Sequence, residues 1–170
     1  MILGMSTAAF TLLHVILSLV GIAAGLVVLF GMLASKRLEG WTALFLSTTV
    51  LTSVTGFLFH SEKFGPPHVV GVISLLALAV TIPALYAYRL AGPWRWTYVV
   101  GAVLSLYLNV FVGVVQAFQK IPFFNAFAPT QTEPAFAIAQ GIVLLIFIAL
   151  GALAVRGFHP PVKSSALSMA

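Results

Sequence analysis

Five long apolar runs, at about residues 10–34, 41–60, 67–90, 96–119 and 135–155, contain one charged residue between them, Arg89 near the end of the third. A bilayer hydrocarbon core of about 30 Å takes roughly 20 helical residues at a rise of about 1.5 Å each. Each run has that length, and none shows the period-two alternation of a strand. Inside a membrane the backbone must satisfy its own hydrogen bonds, so long continuous runs predict helices. The breaks carry matching chemistry. Ser35-Lys36-Arg37 and Glu39-Gly40 close the first run, and Gly65-Pro66-Pro67 stands where a new helix accepts proline in its first turn. Gly92-Pro93 parts the third run from the fourth, and Pro122, Pro129 and Pro134 punctuate the approach to the fifth.

The expected architecture is an all-α membrane protein with five transmembrane helices forming a single domain over residues 1–158. A cytoplasmic, disordered tail is expected over 159–170. Composition agrees, with 61% hydrophobic residues and only 6% charged, against roughly a quarter charged in soluble domains. So few charges exclude a soluble enzyme and a disordered chain. The eight basic residues are spread along the chain, only Lys36 and Arg37 being adjacent, and make no nucleic-acid-binding patch. Without cysteine there is no disulfide, thiolate metal site or iron–sulfur cluster. No basic residue precedes the first run, so residues 1–34 are expected to be retained rather than cleaved as a signal peptide.

Charge also sets an expected orientation. Lys36, Arg37, Arg89, Arg95, Arg156 and Lys163 fall on one side, and Lys63 and Lys120 on the other. The positive-inside rule puts the six in the cytoplasm, with a periplasmic N-terminus and a cytoplasmic C-terminus. Trp41, Trp94 and Trp96 then lie at the inner boundary as an aromatic belt. His14-Val15 followed by Arg37-Leu38-Glu39-Gly40-Trp41-Thr42 is weakly echoed by His68-Val69 followed by Arg89-Leu90-Ala91-Gly92 and Trp96-Thr97. Spans 1–2 and 3–4 are therefore candidate parallel hairpin repeats, with the fifth helix added.

The embedded polar groups gather toward the outer face. Counted from Arg37, Trp41 and Arg89, the residues His14, His60 and His68 lie about 34, 28 and 31 Å along their helices. Gln116 lies about 30 Å from Trp96, Gln119 slightly beyond, and Gln140 about 24 Å from Arg156. Asn109 is near mid-membrane on the same face as Gln116. Such amides are expected to point into the bundle, because an unpaired polar group in hydrocarbon is costly. His14, His60 and His68 are candidate metal ligands, since neutral imidazole binds copper, zinc and haem iron. With Asn109, Gln116, Gln119 and Gln140 they form a candidate cofactor layer for haem b, copper or a quinone headgroup. The plainer alternatives are histidines meeting headgroups, glutamines tying helices together, and hydroxyls of the second span bonding their own backbone. Gly21 and Gly25 form a GxxxG helix-contact face, and Pro83 removes the partner of the Ala79 carbonyl. Ile121 to Phe127 is apolar enough to act as an interfacial lid.

Absences narrow the function. Glu39, Glu62 and Glu133 all fall in loops, leaving no buried carboxylate for proton-coupled transport. No arginine ladder, mid-span lysine, nucleophile–base pair or phosphate loop is present. The strings WTALFLSTTVLTSVTGF (Trp41 to Phe57), RLAGPWRWTYVV (Arg89 to Val100), LYLNVFVGVVQAF (Leu106 to Phe118) and APTQTEPAFAIAQ (Ala128 to Gln140), with His14-Val15, together resemble an uncharacterised family of small polytopic bacterial inner-membrane proteins. The resemblance implies a bacterial inner membrane and no activity. The leading expectation is a non-catalytic accessory or ligand-holding component. The alternatives are a haem b- or copper-binding redox protein and a purely structural subunit. Expected partners are the lipid bilayer and other membrane subunits or further copies of the chain.

Overall fold

The computed structural model describes residues 2–59 and 65–160. Among them the chain forms six helices: α1 (Thr7–Leu33), α2 (Glu39–Phe57), α3 (Pro66–Tyr86), α4 (Trp94–Lys120), α5 (Pro122–Phe127) and α6 (Pro134–Gly157). Four of them, α1, α3, α4 and α6, are long and apolar enough to cross a membrane. The fifth long helix, α2, has 19 residues and seven hydroxyl side chains, and falls outside that set.

Local chemistry explains where the helices begin. The Ser6 hydroxyl accepts from the Ala9 amide and caps α1. α3, α5 and α6 each open on proline, whose missing N–H is one that a first turn leaves unpaired anyway. The third helix stops at Tyr86, short of the expected boundary near residue 90. Pro83 cannot donate to the Ala79 carbonyl, and the Ala87 and Tyr88 amides both converge on the Pro83 carbonyl. The chain then turns through left-handed backbone at Arg89, Leu90 and Gly92.

α1 and α2 form one hairpin, α3 and α4 another, and the hairpins meet through α2 against α3 and α1 against α4. α4 touches every other helix, whereas α6 rests mainly on α4 and α1. Its buried residues are Gln140, Phe147 and Ala154, one every seven positions, so its contact is a narrow seam. Ala24, Val28, Leu29, Phe45, Leu78, Leu85, Val99, Ala102 and Leu106 fill the interior. Gly21 and Gly25 both face inward, and a Cβ on Gly25 would lie 2.5 Å from Leu106 Cδ1 and 2.9 Å from two Phe45 ring carbons. That close approach of three helices is what the GxxxG pattern provides.

The hairpins collect the chain's polar ends at two opposite levels. At one end Phe59 contacts the rings of Phe10 and His14, and Phe57 contacts that of His68. At the other, Arg95 Nη1 donates to the carbonyls of Val155 and Phe158, at 3.0 and 2.6 Å. These acceptors sit at the C-terminus of α6, where unpaired carbonyls favour a cation. Phe158 is fully buried beside Tyr98, and the His159 amide donates to Ser35 Oγ at 2.8 Å. The chain is thus still docked at His159, inside the expected tail. The rest of that tail, from residue 161, lies outside the described residues.

Candidate functional site: a polar seam toward one end of the bundle

The buried face of α2 carries Phe45 and Leu46 near its start and is otherwise made of hydroxyl side chains. Thr42, Thr48, Thr49, Thr52 and Ser53 are buried, while Leu44, Leu51 and Val54 are exposed. Several hydroxyls on α2 fold back onto the preceding turn: Ser47 donates to Ala43, Thr48 to Leu44 and Thr55 to Leu51, each at 2.7 Å. This leaves their oxygen lone pairs for groups on neighbouring helices.

His14 uses one of them. Its Nδ1 lies 2.8 Å from Thr55 Oγ1. Since the Thr55 proton is engaged by Leu51, the imidazole is the donor, which assigns the proton to Nδ1 and leaves Nε2 as the acceptor nitrogen. The ring edge packs on Phe59 with centroids 5.1 Å apart. His68 has the opposite arrangement. Its Nδ1 accepts from the Gly65 amide at 3.2 Å and closes the first turn of α3. In neutral form its proton therefore sits on Nε2, so this geometry presents no imidazole lone pair away from the helix cap. The two histidines that the candidate repeat sets in equivalent positions do different jobs. His60 lies outside the described residues.

The amides are distributed over three helices. Asn109 Nδ2 donates to Thr49 Oγ1 at 3.2 Å, tying α4 to α2. This contact faces Gly21, where a Cβ would meet Thr48 Oγ1, Asn109 Nδ2 and Thr49 Oγ1 at 3.2, 3.5 and 3.6 Å. Gln140 is buried and donates to the Phe111 carbonyl at 3.1 Å, joining α6 to α4, while its Oε1 has no partner. Gln116 reaches Gln119, and Gln119 reaches Gln131, both at 3.5 Å. Gln131 in turn donates to the Val115 carbonyl at 2.9 Å. α5 packs on the end of α4 through Phe118 and Phe124, and Asn125 donates to the Phe118 carbonyl.

The hydrogen bonds therefore join the candidate residues in small separate sets rather than one cluster. None of these contacts links His14 to His68, or either histidine to the glutamines. Among the described residues no three His, Cys, Asp or Glu side chains gather as a metal site would require. The sequence assigns the α2 hydroxyls to their own backbone and does not show their partners on other helices, which are Thr49 with Asn109, Thr55 with His14, and the Ser53–Ser74 contact of 3.1 Å between α2 and α3. Thr52 Oγ1 and Ser105 Oγ are buried with no hydrogen-bond partner. The signal was the density of Ser and Thr in α2, but hydroxyls that can satisfy themselves do not announce which of them reach across.

Comparison with family models, characterised proteins and solved structures yields no match.

Proposed function

We propose that the protein is a five-span membrane protein of the bacterial inner membrane, with a periplasmic N-terminus, a cytoplasmic C-terminus and an accessory, non-catalytic role in a larger membrane assembly. The inside-out character of α2 supports its place as the fifth span. A helix that hides Thr48, Thr49, Thr52 and Ser53 and exposes Leu44, Leu51 and Val54 is arranged for hydrocarbon rather than for water. In this reading the end with Lys36, Arg37, Arg89, Arg95 and Arg156 faces the cytoplasm. The two hairpins are the proposed repeat units.

One observation carries the accessory role. The embedded polar groups answer one another across helices: His14 with Thr55, Asn109 with Thr49, Ser53 with Ser74, and Gln140 with the Phe111 carbonyl. Ties of this kind are typically below about 2 kcal/mol each and hold a bundle in one arrangement. A rigid apolar bundle suits a scaffold for neighbouring subunits. A ligand-holding role rests on a separate observation, the exposed Gln116 and Gln119 amides at the end of α4 with the half-buried Gln131 beside them. These would take a quinone-like carbonyl headgroup.

Purification from native membranes in mild detergent tests the choice. The accessory reading expects a colourless protein, without bound metal, in fixed stoichiometry with other membrane chains. A Soret band or bound copper that disappears in His14→Ala would overturn it in favour of the redox alternative. Orientation is tested separately with a C-terminal reporter that is active only in the periplasm, where activity would refute the cytoplasmic C-terminus.

A further inference from the structure

Between α4 and α6 the chain folds into the six-residue helix α5, whose sequence Pro-Phe-Phe-Asn-Ala-Phe is nearly all apolar. One proline sets its attachment. Pro122 has no N–H to give to the Phe118 carbonyl four residues back, so α4 ends at Lys120 and Ile121 is extended. Asn125 Nδ2 donates to that orphaned carbonyl instead, at 3.0 Å. Phe124 packs on Phe118 with centroids 5.5 Å apart, and Ala128, just after the helix, is fully buried. The opposite side of α5 is open. Phe123 and Phe127, four residues apart and so on one face, are 67% and 58% exposed, and their rings meet edge to face at 5.3 Å. Ala126 is exposed with them.

We infer that α5 is an in-plane anchor in the leaflet at the histidine end of the bundle, with the Phe123 and Phe127 rings in hydrocarbon and Lys120 reaching the lipid phosphates. Depth along the bundle argues for lipid as the occupant. α4 is 27 residues long, and Phe118 stands about 33 Å along it from Trp96, slightly more than a hydrocarbon core of about 30 Å. α5 therefore lies at the membrane boundary, where short amphipathic helices bury their apolar face beneath the headgroups. Charge agrees. Lys120 is exposed two residues before α5, and a lysine stem covers apolar surface while its ammonium stays among polar groups. The polar run Thr130 to Glu133 follows, tied to itself through the Glu133 carboxylate, and gives the water-facing side. Through Asn125 and Phe124 the anchor fixes the depth of the α4 end. The inference rests on the bundle crossing a membrane and is independent of an accessory role.

Because the chain has no cysteine, one introduced thiol can carry a nitroxide without any other being removed. Ala126→Cys reports the depth of α5 with all its phenylalanines kept. Leu145→Cys, on the exposed middle of α6, and Thr132→Cys, in the polar loop, serve as hydrocarbon and water references. The full chain is reconstituted at a low protein-to-lipid ratio in vesicles of phosphatidylcholine and phosphatidylglycerol. Collisions with oxygen and with a water-soluble nickel chelate are then compared by EPR power saturation. The Ala126 label is expected about 5–10 Å below the phosphates, with an oxygen-to-nickel ratio several-fold above that at Thr132. Adding Phe123→Ser and Phe127→Ser should bring it to the Thr132 value and leave the Leu145 label unchanged. A water-like Ala126 label beside a hydrocarbon-like Leu145 label would overturn the inference and leave the membrane placement standing. An Ala126 label shielded from both reagents would overturn it in favour of a protein partner on α5. So would a depth that survives the double serine variant. A water-like Leu145 label would overturn the membrane placement itself, and the anchor with it.

Discussion

Replacing Gly25 by alanine adds one methyl group at the meeting point of α1, α2 and α4. That carbon would stand 2.5 Å from Leu106 Cδ1 and 2.9 Å from two ring carbons of Phe45. Both neighbours are 1% exposed and closely packed, so neither has open space to retreat into. Comfortable carbon contacts begin near ~3.5 Å, so Leu106 must yield about 1 Å. Overpacking of this kind costs about 1–3 kcal/mol. Alanine also gains about 1 kcal/mol over glycine inside a helix, which partly masks the clash. Gly141→Ala removes the ambiguity, because nothing lies within 4 Å of its Cβ position in α6. Both variants share the backbone gain, so the difference between them isolates the steric cost, about 1–3 kcal/mol. Gly21→Ala should fall between, with its nearest neighbour, Thr48 Oγ1, at 3.2 Å. Reversible unfolding in mixed dodecylsulfate and dodecylmaltoside micelles, followed by circular dichroism, measures the order. Equal stability of Gly25→Ala and Gly141→Ala would refute the three-helix contact. Leu106→Val should recover part of the loss in the Gly25→Ala background.

Three further outcomes follow from the polar contacts. Thr52→Val and Ser105→Ala remove buried hydroxyls without partners, and should leave stability unchanged or raise it by up to about 1 kcal/mol; a clear drop in the same unfolding assay would mean that those hydroxyls are hydrogen-bonded after all. Arg95→Gln should loosen the end of α6 at a cost of about 1.5–3 kcal/mol, seen as faster amide exchange at Val155 to His159 with α3 unaffected. Thr49→Val and Asn109→Leu should couple by about 0.6–1.7 kcal/mol in a double-mutant cycle, and independent effects would contradict their hydrogen bond.

Much of this was legible because membrane helices are set by length. The runs that became α1, α3, α4 and α6 needed only continuity and a count of residues. Placing His14 and His68 at one level and the arginines at the other needed only the helical rise and the hairpin turns. Partners were not legible, since a sequence shows which residues lie on a face but not how neighbouring helices rotate toward it. Nothing local tells Thr55, which receives His14, from Ser47, which bonds only its own backbone. Arg95 was readable as an orienting charge, yet its structural contact is with carbonyls 60 and 63 positions away. The domain was expected to end at Phe158, and nothing local showed its burial, because that depends on Tyr98, which is far from it in sequence.

The inward polar face of α2 bears on how the chain is assembled. During synthesis α1 emerges first, α2 second, and α3 and α4 only later. At the moment α2 is complete, Thr48, Thr49 and Thr52 have only α1 as a neighbour, and the Asn109 that will answer Thr49 does not yet exist. In the proposed five-span arrangement, a helix with seven hydroxyls is a reluctant solitary entrant into lipid, so α1 and α2 should partition as a pair. The insertion machinery would then have to hold that pair until α4 arrives, making the hairpin, rather than the single helix, the unit of biogenesis.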